Sequence, residues 1–149
     1  MIDHVPPRLG EIIEDFQLCV GQEKLELLIQ YAESLPSLPD WLQEERGSME
    51  SVPECMTPVA VQARTVDGHM QFFFDVPVES PTVRGFAAML EDGVNGASPE
   101  EVLQIPGDFF QAMGLHEVLT HQRLNGLSAI LAHMKQLAVQ VIAQQDQSA

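Results

Sequence analysis

Basic residues are scarce in this chain: seven Lys and Arg stand against 22 Asp and Glu in 149 residues, a net charge of −15. A surface of that sign repels phosphate, so nucleic acid and anionic membrane surfaces are not expected as partners, whereas a basic protein is. Cysteine is scarce as well. Two thiols cannot build a multi-bridge scaffold. No run approaches the roughly 18 consecutive apolar residues that mark a membrane span. The start, Met1-Ile2-Asp3-His4, has neither the basic stretch nor the apolar run of a secretory signal. Together these absences predict a cytoplasmic protein with reduced thiols. There is no Gly-rich phosphate loop, no G-x-S-x-G and no C-x-x-C. The histidines His4, His69, His116, His121 and His133 show no zinc-ligand spacing with a cysteine.

What is present suits one domain over residues 1–149, long enough for a single core. Leu9, Ile12, Ile13, Phe16, Cys19 and Val20 recur at helical spacing after Pro6-Pro7, and Gly21 ends that helix. A second helix follows, with Leu25, Leu28, Ile29, Ala32 and Leu35 on one face, and stops at Pro36. Residues from Pro36 to Pro58 form the longest irregular stretch, with room for a short edge strand over Ser48 to Val52. Two β-rich runs, Val59 to Val66 and His69 to Val76, flank Asp67-Gly68, the signature of a type I′ hairpin. Met70, Phe72, Phe74 and Val76 share one strand face, and the remaining helices are expected to cover it. Ser80-Pro81 opens a helix to about Gly93, and Ser98-Pro99-Glu100-Glu101 is a capping box. Thr120 caps a last long helix carrying Leu124, Leu127, Leu131, Met134, Leu137, Ala138, Val141 and Ile142 on its stripe.

Cys55 lies in Val52-Pro53-Glu54-Cys55-Met56-Thr57-Pro58-Val59. Proline fixes its own φ, lacks an N–H and pushes the preceding residue toward extended geometry, so the bracketed thiol is expected on a stiff loop. Cys19, by contrast, falls on an apolar stripe and reads as a buried structural cysteine. Two other roles for Cys55 are weakly supported. A metal site could combine it with His116 or His121 and an acid. Cys55, His121 and Asn125 have the chain order of a papain-type protease, but the local signature of that family is missing. Arg123 falls in the first turn of the last helix, where a cation opposes the helix dipole. Helix stability therefore does not account for it. It serves either to pair a surface acid or to contact a partner, a substrate or a thiolate.

The order of these elements resembles the SufE family of sulfur-acceptor proteins in iron–sulfur cluster assembly. Four places carry the likeness: the Cys55 segment, the strand pair that follows it, Thr82-Val83-Arg84-Gly85, and Leu119-Thr120-His121-Gln122-Arg123-Leu124-Asn125-Gly126-Leu127. The chain departs from a frequent family pattern where Glu54 replaces glycine, Thr57 replaces serine and Ala60 replaces an aromatic. Glu54 should disfavour a neighbouring thiolate, because a nearby negative charge raises an acid's pKa. The resemblance implies an α+β fold, a small antiparallel sheet of about three strands covered by helices, as in SufE and IscU-type proteins. It also implies a sulfur relay. Cys55 would accept persulfide sulfur from a PLP-dependent cysteine desulfurase, stimulate that enzyme and pass the sulfur to an iron–sulfur scaffold. Arg123, Glu54, Met56 and Thr57 would meet the partner. The chain itself would hold no cofactor and no metal, and no independent turnover is expected of it. The alternative is an acidic, non-catalytic regulator that binds a desulfurase or another basic partner.

Overall fold

The computed structural model describes residues 4–52 and 58–148, with the side chains of 147 and 148 undescribed. Among these residues seven α-helices accompany a three-stranded antiparallel sheet of order β1-β2-β3. The chain is α+β, as the SufE resemblance implies.

Pro7 opens α1 (Pro7–Leu18), where its missing N–H costs nothing, and the helix buries Leu9, Ile12, Ile13 and Phe16. The apolar stripe stops there. Cys19 is already extended and only partly buried, and Val20 is 76% exposed. The chain turns at Gly21, whose φ of 55° breaks the helical register that the spacing extrapolates. Helix α2 (Gln22–Glu33) buries Lys24, Leu28 and Ala32 and ends short of Leu35, because the residue before Pro36 disfavours helical geometry. Leu25 and Ile29 are half-buried, and Leu35 packs on the core from beyond the helix.

The irregular stretch holds a short helix α3 (Asp40–Gln43), a 3-10 turn (Arg46–Ser48) and the edge strand β1 (Glu50–Ser51). Strands β2 (Ala60–Val66) and β3 (His69–Asp75) pair from Val66 opposite His69 to Ala60 opposite Asp75. Asp67 and Gly68 take φ of 53° and 81°, both positive, as a type I′ turn demands. On the inner face, Met70, Phe72, Phe74 and Val76 are all at least 97% buried in the main core. The outer face is covered too, which the alternation alone does not foresee. Phe73 joins Leu38, Leu42 and Met49 in a second cluster. Trp41 meets Phe73 edge-on at 5.5 Å, and the Arg64 guanidinium lies 5.2 and 5.5 Å from the two ring centres.

Helix α4 (Pro81–Val94) packs on α1, α2 and β3. Ser80 stands at its N-cap without a side-chain cap bond, so Pro81 opens the helix unaided. Thr82-Val83-Arg84-Gly85 gains a physical reason here. The Arg84 Nη1 donates to the Val76 carbonyl at 2.6 Å. A Cβ on Gly85 would collide with the Leu28 carbonyl oxygen and lie 2.9 Å from Leu28 Cγ and Cδ1. Helix α5 (Pro99–Gln104) carries the expected capping box, with Ser98 and Glu101 bonded reciprocally. These bonds hold the Glu101 carboxyl below its usual range. Helix α6 (Phe109–Ala112) and a 3-10 turn (Leu115–Glu117) lead to α7 (His121–Ser148).

By length and composition alone, α7 could cross a bilayer. Its Leu124, Leu127, Ile130, Leu131, Met134, Leu137 and Ala138 are instead buried in the main core, so that hydropathy serves packing within the domain.

Candidate functional site

The chain leaves β1 through Val52 and returns to β2 through Pro58 and Val59. Glu54, Cys55, Met56 and Thr57 fall between them, outside the described residues. Both ends of this connection are firmly seated. The Val52 N–H donates to the Val59 carbonyl at 3.0 Å, and the two side chains are 3% and 2% exposed. Burying two valines to that degree contributes about 3–6 kcal/mol of apolar transfer energy.

Two depressions border these ends, and Ser51 lines both. One, of about 460 Å³, is walled by Val52, Pro58, Val59, Ala60, Asp75 and Pro77. The other, of about 560 Å³, separates β1 from α7 and is lined by Ser51, Asn125, Ser128, Ala129, Ala132, His133 and Gln136. His133 is 9% exposed, and its Nε2 has no hydrogen-bond partner among the described residues. The Glu50 carboxylate lies 3.9 Å from that nitrogen. Sequence reasoning counted His133 among five histidines without singling it out. Its signal is faint: a polar residue placed between Leu131 and Met134 on the stripe that α7 buries.

Arg123 lies in the first turn of α7 and is exposed, with its backbone N–H donating to Thr120 Oγ1 at 3.3 Å. The other basic residues are engaged. Arg8 pairs with Asp92 and Glu11, and Arg46 with Asp75. Lys24 Nζ donates to the Phe16 and Met113 carbonyls at 2.7 and 3.0 Å. Arg64 stacks on Trp41 and Phe73 and donates to Gln71. Arg84 binds the Val76 carbonyl, and Lys135 that of Ile105. Among the described residues, Arg123 is left as the cation whose head meets no partner, although 22 acidic residues are available.

The other thiol is differently placed. Cys19 caps the C-terminal end of α1, where its Sγ donates to the Asp15 carbonyl at 3.5 Å. His116 and His121 are exposed. Among the described residues no group of three or more His, Cys, Asp or Glu side chains is arranged to hold a metal.

Comparison with known proteins agrees with this architecture. The family described as "SufE: Fe-S metabolism associated domain" matches residues 10–138. An uncharacterized SufE-like protein of Mycobacterium tuberculosis is 39% identical over 132 residues, covering 88% of this chain and 91% of that one. The cysteine desulfuration protein SufE of Plasmodium vivax is 25% identical over 143 residues, 93% of this chain and 56% of that protein. The solution structure of a hypothetical protein from Thermus thermophilus superposes with a TM-score of 0.82 at 35% identity, covering 93% of this chain and 98% of that one. The three-stranded sheet with its helical cover, and a match that runs from α1 into α7, place the chain in the SufE family, with a role in Fe–S metabolism.

Proposed function

We propose that this protein is a sulfur acceptor and carrier, that Cys55 is its working thiol, and that its donor is a PLP-dependent cysteine desulfurase. The observation that carries the reading is the SufE match over 10–138, a span in which the Cys55 segment joins two core-anchored strand ends. A relative bearing the name cysteine desulfuration protein SufE supports the same chemistry.

The step is a thiol–disulfide exchange. The Cys55 thiolate attacks the terminal sulfur of the desulfurase persulfide. The S–S bond on the desulfurase breaks, and its cysteine leaves as a thiolate that takes up a proton. A new S–S bond on Cys55 keeps the sulfur at the same oxidation level, so no outside oxidant is consumed. The rate depends on the thiolate fraction of Cys55 and on access to it. Glu54, adjacent in sequence and negatively charged, lowers that fraction in the free protein, and docking against a cationic surface offsets it. Arg123 supports the reading as a cation that the described fold leaves unused, available to a partner's carboxylate or to a thiolate. Glu54, Met56 and Thr57 complete the contact with the partner. The persulfide then moves to an iron–sulfur scaffold by a second exchange. A reducing compartment such as the cytoplasm keeps Cys55 free between cycles.

The test is sulfide release by the desulfurase of the same cell, with wild-type protein and with Cys55→Ser, alongside the intact mass of the acceptor after turnover. Stimulation by wild type alone, with one added sulfur atom on Cys55, is expected. Equal stimulation by both proteins overturns the relay and favours an acidic regulator.

A further inference from the structure

Hydrogen-bond alternation in the sheet decides which backbone groups face outward. In an antiparallel ladder, residues that exchange hydrogen bonds alternate with residues that do not. Val52 donates to Val59, so Glu50 and Val61 form the next bonded pair, and Ser51 opposite Ala60 is non-bonded. The N–H and C=O of Ser51 therefore point away from β2, and they have no partner among the described residues. The far edge of the sheet is treated differently. There Met70, Phe72 and Phe74 present the outward groups, and the chain at 95–97 covers the first part of them: Met70 N–H to the Ala97 carbonyl at 2.7 Å, Gly96 N–H to the Met70 carbonyl at 2.9 Å, and Phe72 N–H to Asn95 Oδ1 at 2.8 Å. The fold thus covers the β3 edge at Met70 and the Phe72 N–H, whereas among the described residues nothing covers Ser51 at the β1 edge.

The open edge faces the depression of about 560 Å³ whose other wall is α7. From Asn125 to Gln136 that wall rises about 16 Å, the length of roughly five extended residues. Ala129 and Ala132 are small enough to let a backbone approach. Asn125, Ser128 and Gln136 offer neutral donors and acceptors along it. His133, nine-tenths buried, lines the same space, and its Nε2 is closed off from solvent with no hydrogen-bond partner among the described residues. A buried polar nitrogen left unpaired costs about 1–3 kcal/mol, which an incoming donor or acceptor would recover. No Lys or Arg lines the groove, Glu50 lies within 3.9 Å of the His133 Nε2, and the chain carries a net charge of −15. An unpaired strand edge and an elongated neutral groove with a negative mouth fit strand addition by a basic segment.

We infer that this groove receives an extended, basic segment of the desulfurase, which adds as a further strand beside Ser51, sets a hydrogen-bonding side chain against His133 and places a Lys or Arg near Glu50. The inference rests on the desulfurase reading above, since a protein that reaches Cys55 meets the strand ending four residues before it.

The experiment uses the full chain and the desulfurase of the same cell. Hydrogen exchange of the Ser51 amide is followed by mass spectrometry, free and in complex, and affinity is measured for Ser51→Pro and Ala132→Trp. Proline removes the outward N–H and leaves the β1–β2 hydrogen bonds in place. Tryptophan at the exposed Ala132 fills the groove from the α7 side, and it carries the test should Ser51→Pro fail to fold. Slower exchange at Ser51 in the complex, with binding weakened at least about tenfold by either variant, is expected. A complex that forms with unchanged Ser51 exchange and wild-type affinity for both variants overturns the groove and leaves the sulfur-acceptor reading standing. Absence of any complex with wild-type protein overturns both.

Discussion

Lys24 of α2 donates its ammonium to the Met113 carbonyl just beyond α6 at 3.0 Å, and the same nitrogen reaches Phe16 at the end of α1 at 2.7 Å. One buried cation thus ties three helical segments through carbonyls near helix ends, one of them, that of Phe16, also accepting the Cys19 N–H. Lys24→Met keeps the stem and removes the donor. It should lower stability by about 2–4 kcal/mol, because two carbonyls lose a charge-assisted bond in a site closed to water. Urea unfolding monitored by circular dichroism checks this, and a midpoint equal to wild type would refute it.

Glu91 on α4 sits in a shallow depression with Ser34, Pro36, Ala88, Asp92 and Asn95, and burial pushes its carboxyl up to about 7. A carboxyl raised in the folded state binds its proton more tightly there than in the unfolded chain. The contribution is full below the ordinary carboxylate range and is lost as pH rises through about 7. With solvent screening of a partly exposed group, the loss between pH 4.5 and 7.5 is about 1–2 kcal/mol. Glu91→Gln should flatten that part of the stability profile and leave the variant more stable than wild type at pH 8. Unfolding curves across this range, compared between the two proteins, measure the difference.

Arg123→Ala should leave the unfolding midpoint within about 0.5 kcal/mol of wild type, as expected for an exposed side chain with no partner in the described fold. Its effect belongs to the complex. The concentration of acceptor needed for half-maximal desulfurase stimulation should rise about fivefold or more, with recovery in Arg123→Lys if charge alone matters. Steady-state titrations of sulfide release read this directly, and an unchanged half-maximal concentration for Arg123→Ala would remove Arg123 from the interface.

Much of the fold was legible because local chemistry dictates it. Asp67-Gly68 admits the two positive φ values of its turn, Ser98 and Glu101 satisfy each other's backbone groups, and the alternation from Met70 to Val76 allows one buried face. The α1 stripe misled at Cys19 and Val20, because periodicity cannot register that the helix has ended at Leu18 and that Cys19 is already extended. Gly85 was readable as part of a motif, but its reason was not: the Leu28 backbone packs against it from another helix. The candidate site divides in the same way. Cys55 stood out between its prolines, whereas His133 looked like an ordinary histidine on an apolar helix.

The sequence by itself determined the helices and strands, the family, and Cys55 as the residue to suspect, because turns, caps and periodicity are encoded within a few neighbouring residues. Only the tertiary structure decided which polar groups remain unspent. It engages every basic head but that of Arg123 among the described residues, covers Met70 on the β3 edge with 95–97, and leaves Ser51 and His133 lining one groove. Those outcomes depend on contacts between segments far apart in the chain, and pairing across such distances is settled by packing, to which local sequence is blind.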